Sequence, residues 1–401
     1  MTFDYPARHM IEALRSGIPS RAVGRYFSES RGEILQEIIH DLDGVRTSGV
    51  SKGRVINGKY GEGKTHLLNT VFSLAHSHNM VVSMISLSKE TPFDKLYHVY
   101  KSIVNNTYLP NHIQPGFMEE FEALTPSSQQ SNELLLYAAK QLETDRLYYV
   151  LRAFLNSDDQ DERYLLQTDL EGDFVANLQV KQIYGRIFGE KIKFSVNFVK
   201  SQHYQDYFAF LSRFFLSLGY SGWVLLFDET ELTGRLGKKT RLKAYANMAE
   251  FLFPNKRFSS MYSLFAISSS YTEDVIEGKH EFESLQEWYP DESGKPIRLV
   301  LEALSNSTQL VPLTKSEIRE IVLRLIDFHG RSYAWTPQVD IDDLLQVVDS
   351  SGYLLRTKIR SAIEYLDQLY QYGDAGSSSV QSVYSGTLDE DDMPELDDIL
   401  Q

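Results

Sequence analysis

The sequence contains no cysteine. A chain without thiols cannot form disulfides, use a cysteine nucleophile, or hold zinc or an iron–sulfur cluster through sulfur. It also lacks an apolar run near the roughly 20 residues that a bilayer-spanning helix needs, and its N-terminus lacks the charged-then-apolar profile of a signal peptide. These absences predict a cytoplasmic protein that makes no contact with a membrane.

The sequence also has fewer basic than acidic residues. The formal net charge is −15, and seven acidic residues and no base lie in the last thirteen positions, 389–401. The remainder is only mildly acidic, which argues against a uniformly basic surface that coats nucleic acid but leaves a local basic patch open. The length of 401 residues allows a large core and roughly two to three domains.

One short stretch carries a specific chemical signal. Residues 58–65, Gly-Lys-Tyr-Gly-Glu-Gly-Lys-Thr, match the phosphate-binding pattern G-x-x-x-x-G-K-[ST] at every fixed position. Glycines let such a loop wrap a polyphosphate closely, so that backbone N–H groups point inward as donors. In this pattern Lys64 contacts the β- and γ-phosphates of ATP, and the Thr65 hydroxyl holds Mg²⁺. The residues expected to contact the nucleotide are Gly58, Lys59, Tyr60, Gly61, Glu62, Gly63, Lys64, Thr65 and His66.

The sequence around the loop predicts a strand before it and a helix after it. Residues 54–57 are typical of a short buried strand, and residues 65–76 have the apolar spacing of a helix. The N-terminal dipole of that helix completes an anion site. A strand over 81–87 and a helix over 91–106 follow, and this βαβα order predicts an α/β P-loop NTPase fold with a parallel sheet.

A second informative stretch ends in two acids. The apolar residues 223–227 are followed by Asp228 and Glu229. Beside a magnesium polyphosphate, the first carboxylate orders the metal shell and the second polarises an attacking water, so Asp228 is a predicted metal ligand and Glu229 a predicted catalytic residue. Ser268 ends the next apolar strand and is predicted to hydrogen-bond the attacking water or the γ-phosphate. The alternative is a serine that only ends a strand.

Residues 235–243 place five bases in a predicted glycine-containing loop directly after the two acids. The loop is predicted to contact DNA phosphates, to supply an arginine to a neighbour's nucleotide, or to bind an acidic partner; a solvated loop is the alternative.

Helical periodicity and composition divide the chain further. Arg356, at the start of the last helix, is predicted to reach the phosphates, although a plain basic helix face fits equally well. The tail loses its apolar periodicity and is predicted to be disordered. The predicted segments are an N-terminal helical segment (1–50), a P-loop ATPase core (51–313) with a helical insertion at about 108–219, a helical lid (314–372) and the acidic tail (373–401).

With both nucleotide motifs placed, the order of elements resembles an AAA+ or origin-recognition-like ATPase with a helical lid. More narrowly, the chain resembles the ATP-binding protein family of BREX-type bacteriophage-defence systems, the BrxD-like proteins, over most of residues 7–370. Residues 7–20, Ala-Arg-His-Met-Ile-Glu-Ala-Leu-Arg-Ser-Gly-Ile-Pro-Ser, are the specific part. Glu62 departs from an expected serine, and the acidic tail is not part of the likeness. The other matching segments are 58–65 with Leu67 and Leu68, 218–229, and Arg241 with Ala244 and Tyr245.

The resemblance implies a Mg²⁺-dependent ATPase of an anti-phage defence system, which couples ATP binding and hydrolysis to conformational change in a DNA-associated complex. A helicase or nuclease is the implied partner. The resemblance also implies an arginine that acts across the subunits of a homo-oligomer, and the candidates are Arg235, Arg241 and Arg298. An ATP-gated scaffold with little turnover, which recruits such a partner, is the alternative. A small-molecule kinase on the same loop is disfavoured by the Asp228–Glu229 pair and the helical lid.

Overall fold

A computed structural model describes residues 5–16, 32–112, 114–255, 257–352 and 354–373. Residues 17–31 of the predicted N-terminal helical segment lie outside the described residues, as does the predicted acidic tail beyond Gly373. The described residues divide into two compact units: a larger unit within residues 24–60 and 64–311, and a smaller unit within residues 1–23, 61–63 and 312–401.

The larger unit is built on a six-stranded sheet. Its strands are β1 (Lys52–Gly58), β2 (Val81–Ser86), β3 (Thr107–Tyr108), β4 (Trp223–Asp228), β5 (Met261–Ser268) and β6 (Thr308–Gln309). They lie in the order β3-β2-β4-β5-β1-β6. Every neighbouring pair is parallel except β2 and β3, which are antiparallel. The predicted α/β class with a largely parallel sheet is confirmed.

Helices make up most of the rest of both units. The helices are α1 (Tyr5–Ser16), α2 (Gly32–Ser48), α3 (Lys64–Ser77), α4 (Leu96–Asn105), α5 (Met118–Glu122), α6 (Gln129–Lys140), α7 (Arg146–Asn156), α8 (Gln160–Thr168), α9 (Asn177–Phe188), α10 (Lys200–Ser217), α11 (Lys238–Leu252), α12 (Glu281–Trp288), α13 (Lys295–Ser305), α14 (Lys315–Tyr333), α15 (Ile341–Ser350) and α16 (Leu355–Tyr372). Shorter helical turns cover Asp169–Asp173, Thr230–Arg235, Thr272–Glu277 and Glu292–Gly294. No helix among the described residues is long and apolar enough to cross a membrane.

The central strand β4 is buried on both faces. Trp223, Leu225 and Phe227 pack into one apolar core, and Val224 and Leu226 pack into a second core on the opposite face. A parallel strand covered on both sides needs apolar residues at every position rather than at alternate ones. This explains why the run before the two acids is uninterrupted.

Six helices, α5 to α10, lie between β3 and β4 where a helical insertion is predicted. Within this insertion, α6 ends at Lys140 and α7 begins at Arg146. The backbone N–H groups of Glu143 and Thr144, in the break between them, donate to the buried Asp206 carboxylate at 3.0 and 2.9 Å. The side chain satisfies donors that an unbroken helix would have paired internally, so the break is stable. Aromatic residues of α10 are buried in the core, among them Tyr204, Tyr207, Phe208, Phe214 and Phe215.

In the smaller unit, the first described helix, α1, contacts α14 and α16. Arg15 of α1 donates to both carboxylate oxygens of Asp367 on α16, at 2.8 and 2.9 Å, and to the Tyr333 hydroxyl of α14 at 3.0 Å. Helix α14 begins with a reciprocal capping box, which Thr314 and Glu317 form. Helices α1 and α2 belong to one predicted N-terminal segment, but they lie in different units of the structure.

Gly53 on β1 tests how closely α11 packs against the sheet. A Cβ atom there would lie 2.4 Å from the Leu252 Cα and the Phe251 carbonyl oxygen, and backbone cannot move aside cheaply. We expect Gly53→Ala to destabilise the protein by at least about 1–3 kcal/mol, seen as a lower Tm. In the matched control Gly44→Ala, within α2, the new Cβ meets nothing within 4 Å. That control should stabilise by roughly 0.5–1 kcal/mol, and equal melting of both variants would contradict the packing described.

Candidate functional site

The candidate site lies at the carboxyl edge of the parallel sheet. In the sheet register Gly58 at the end of β1 pairs with Ser268 at the end of β5, and Ser86 at the end of β2 pairs with Asp228 at the end of β4. Open α/β sheets bind ligands outside the carboxyl ends of their strands. The residues predicted from the two separate motifs therefore end at the same edge.

The glycine loop connects β1 to α3, as predicted. Gly61 and Gly63 have φ angles of +79° and +93°, in a region that favours glycine. Gly58 has little room for a side chain, since a Cβ there would lie 3.0 Å from the Leu310 side chain. The loop thus has the backbone freedom and close approach that a phosphate-wrapping turn requires.

Lys64 is the first residue of α3, and it is 7% exposed. Its ammonium group donates to the Gly58 carbonyl oxygen at 3.1 Å. The lysine side chain therefore folds back over the start of the loop. A cation at this position would meet a polyphosphate held by the loop and by the N-terminus of α3.

Thr65 and Asp228 are in direct contact although 163 positions separate them in the chain. The Thr65 hydroxyl donates to the Asp228 carboxylate at 2.6 Å. The second Asp228 oxygen accepts the backbone N–H of Glu229 at 3.0 Å, and the Asp228 side chain is buried. The contact joins the glycine loop to the acidic strand end.

The oxygen pair of Thr65 and Asp228 suits Mg²⁺ rather than a metal held by protein ligands alone. Among the described residues there is no group of three or more His, Cys, Asp or Glu residues that would enclose a metal ion. Magnesium in nucleotide sites takes one or two protein oxygens and completes its shell with water and phosphate. The donor set present fits that pattern.

Glu229 has an unusual backbone conformation. Its φ and ψ angles are +55° and +34°, in the left-handed region where a side chain carries a steric cost. Such outliers persist only where the surroundings hold them, and they concentrate at functional sites. The predicted catalytic carboxylate therefore sits on a constrained turn between β4 and the helical turn Thr230–Arg235.

Ser268 ends β5, which lies between β1 and β4 in the sheet. Its hydroxyl is 3.3 Å from the Ser270 hydroxyl. The sheet order brings this predicted polar residue between the ends of the loop strand and the acidic strand. Its role toward water or phosphate stays a prediction.

Glu231 is a site residue that the sequence analysis missed. Its Oε1 atom lies 3.7 Å from the Lys64 ammonium, and its side chain is 21% exposed. Burial, the largest cause, raises the pKa of the Glu231 carboxyl above its usual value, while Lys64 acts to lower it. The available signal was a third acid close behind Asp228 and Glu229, but its approach to the lysine depends on the turn Thr230–Arg235.

Arg356 is a predicted site residue that belongs to the smaller unit. It is exposed on the first turn of α16, in the smaller unit. Lys358, two positions further on, donates to the Asp349 carboxylate at 3.2 Å. A contact between Arg356 and phosphate stays a prediction, as do the nucleotide contacts of Lys59, Tyr60, Glu62 and His66.

The predicted basic loop is largely helical. Helix α11 begins at Lys238 and so includes most of this segment, and Arg241 and Leu242 on its first turns are buried. Arg241 is 5% exposed; its Nε donates to Glu281 at 2.5 Å, and its Nη1 donates to the Leu236 carbonyl oxygen at 2.6 Å. This placement contradicts the assignment of Arg241 to DNA contact or to a neighbour's nucleotide. The bases exposed in this region are Arg235, Lys238, Lys239 and Lys243, and Arg298 is exposed on α13.

Comparison with known families bears on the same residues. A family model described as BREX system ATP-binding protein BrxC/D matches residues 5–120 and 145–383. The matched ranges contain the glycine loop and both acids of the β4 end. No individual curated protein matches the chain. The match covers most of the sequence, and the chain therefore belongs to the family of BREX system ATP-binding proteins BrxC/D.

Proposed function

We propose that the chain is a Mg²⁺-dependent ATP hydrolase with an AAA+-like P-loop core, acting in a BREX anti-phage defence system. The observation that carries this proposal is the 2.6 Å hydrogen bond between Thr65 and Asp228. It brings the predicted metal ligands of two distant motifs to one point at the carboxyl edge of the sheet. Family membership independently supports ATP as the ligand.

The loop residues 58–65 and the first turn of α3 bind the triphosphate. Backbone N–H groups at the N-terminus of the helix and the Lys64 ammonium contact the β- and γ-phosphates. Thr65 and Asp228 hold Mg²⁺ through their oxygens. When bound, the metal neutralises charge that develops on the phosphate oxygens during transfer.

Glu229 acts on the water that attacks the γ-phosphorus. Its carboxylate accepts a proton from the water as the new P–O bond forms, and the bond to the β–γ bridging oxygen breaks with its electron pair leaving on ADP. Ser268 orients the water or a γ-phosphate oxygen from the end of β5. Arg356 of α16 senses the phosphates in the nucleotide-bound state.

Hydrolysis changes the conformation of a DNA-associated complex that contains a helicase or nuclease. Contact with DNA falls to the exposed lysines of α11, Lys238, Lys239 and Lys243, because Arg241 is engaged with Glu281. In a homo-oligomer, Arg235 or Arg298 completes a neighbour's site.

Phosphate release by the full chain tests the proposal. With Mg²⁺ and excess ATP, we expect many phosphates to be released per chain, measured with and without added DNA. Release of a single phosphate per chain would instead support an ATP-gated scaffold. Absence of release under all these conditions would contradict hydrolysis.

A further inference from the structure

Glu231 is an acidic residue of the site for which the proposed hydrolysis has no use. Its Oε1 atom faces the Lys64 ammonium at 3.7 Å. Its Oε2 atom is buried and has no hydrogen-bond partner among the described residues. Buried oxygens without partners are uncommon in folded proteins, and each calls for a physical reason.

The Glu231 carboxylate is also stabilised by its own backbone N–H and by that of Ser268, while Asp228 opposes its charge. The hydroxyls of Thr230 and Thr233, on the same turn Thr230–Arg235, are also buried without hydrogen-bond partners in the part of the chain that is described. Among the groups that favour the charged form of Glu231, Lys64 has the largest effect, and its ammonium group lies 3.7 Å from Oε1. The same ammonium group is the one expected to bind the polyphosphate.

We propose that Glu231 is a positioning residue that holds Lys64 before nucleotide arrives and competes with the polyphosphate for its ammonium group. This inference rests on the proposed function of the glycine loop. An incoming triphosphate must displace the Glu231 carboxylate from the Lys64 ammonium or share the ammonium with it. The triphosphate is also repelled by this buried carboxylate, because both are negative. Glu231 therefore weakens nucleotide binding and speeds nucleotide release.

The direction of the effect separates this role from a structural one. A residue that only supports the fold would weaken nucleotide binding when it is replaced. Glu231→Gln keeps the shape and removes the charge, so that Lys64 has no anion to give up. The variant is expected to bind nucleotide more tightly than the natural protein.

The experiment measures the equilibrium affinity of the full-length protein for a non-hydrolysable ATP analogue with Mg²⁺ and for ADP. We expect the Kd of Glu231→Gln to fall about tenfold or more for the analogue, because unit charges this close interact strongly even at an effective dielectric constant near 20. In the matched control, Glu273→Gln removes the same charge from an exposed glutamate and should leave the Kd within about twofold. An unchanged or higher Kd in Glu231→Gln would overturn the inference.

Kinetics give a second readout of the same variant. Tighter uniform binding lowers KM without raising kcat. Glu231→Asp retains the charge and should return KM toward the natural value. If KM rises in Glu231→Gln and the aspartate variant behaves alike, Glu231 supports the fold only.

Melting temperatures and a second variant distinguish a change in stability from a change in nucleotide affinity. Unpairing the buried Lys64 is expected to lower the Tm of nucleotide-free Glu231→Gln and to enlarge the Tm increase on adding the analogue. If the glutamine variant does not fold, Glu231→Met is measured in its place, with the same tightening expected and the same outcome overturning the inference. Failure of the natural protein to bind any nucleotide would refute the proposed function itself, whereas binding without tightening in the variants would refute this inference alone.

Discussion

Replacing Lys64 with alanine is expected to lower kcat/KM for ATP hydrolysis by at least about a hundredfold. A hydrogen bond to a charged group contributes about 1.5–3 kcal/mol, and the lysine is placed to contact two phosphates. The loss should appear largely as weaker binding, with a smaller Tm increase on adding Mg²⁺ and a non-hydrolysable analogue. Phosphate release and melting of the two proteins measure both effects.

The control for Lys64→Ala removes a lysine that has no part in the site. Lys140 is exposed at the end of α6, in the helical stretch between β3 and β4. Lys140→Ala should hydrolyse ATP at the natural rate. Equal activity of Lys64→Ala and Lys140→Ala would mean that the glycine loop does not bind the phosphates of the hydrolysed nucleotide.

Replacing Glu229 with glutamine is expected to lower kcat by about a hundred- to ten-thousand-fold, the usual contribution of a positioned general base. The amide has nearly the shape of the carboxylate, so the affinity for ATP should stay close to that of the natural protein. Single-turnover phosphate release, paired with equilibrium ATP binding, separates the lost chemical step from binding. The two glutamine variants should therefore differ: Glu229→Gln lowers kcat with little change in affinity, whereas Glu231→Gln lowers KM.

A glycine at the same position separates backbone strain from chemistry. Glu229 has a φ of +55°, and glycine adopts this conformation without the steric cost of a side chain. Glu229→Gly should therefore be at least as stable as Glu229→Gln and equally inactive. Natural turnover in both variants would remove Glu229 from the catalytic machinery and would require another base.

The parts of the site with local signals could be predicted from the sequence. The glycine loop is a fixed pattern of eight residues, and β4 is a continuous apolar run that ends in acids, so neither depends on distant contacts. The placement of Ser268 followed from a strand pattern of the same kind. What the pattern could not supply was the strand order, which puts β5 between β1 and β4.

Short or irregular elements have too few residues for a periodic pattern, so they could not be predicted from the sequence. Strands β3 and β6 have two residues each. Glu231 reaches Lys64 through the single helical turn Thr230–Arg235, which follows neither a helix nor a strand pattern over a useful length. Its role in the site could therefore be seen only in three dimensions.

Charge pairs across long sequence separations were equally hidden. Arg241 lies among exposed bases in the sequence, yet it pairs with Glu281, which is 40 positions away. Arg15 pairs with Asp367 across 352 positions and fixes α1 to the last helix. No rule of local spacing relates the members of such pairs, so a basic residue by itself does not reveal whether it faces solvent or an internal acid.

Equilibrium binding of a non-hydrolysable ATP analogue to the full chain, with Mg²⁺ and after its chelation, tests the proposed nucleotide site most directly. We expect one analogue per chain, a marked loss of affinity when Mg²⁺ is removed, and loss of binding in Lys64→Ala. Binding that is equally tight without Mg²⁺ and in Lys64→Ala, or no binding by the natural protein, would contradict the assignment of residues 58–65 and Asp228 to a magnesium–ATP site.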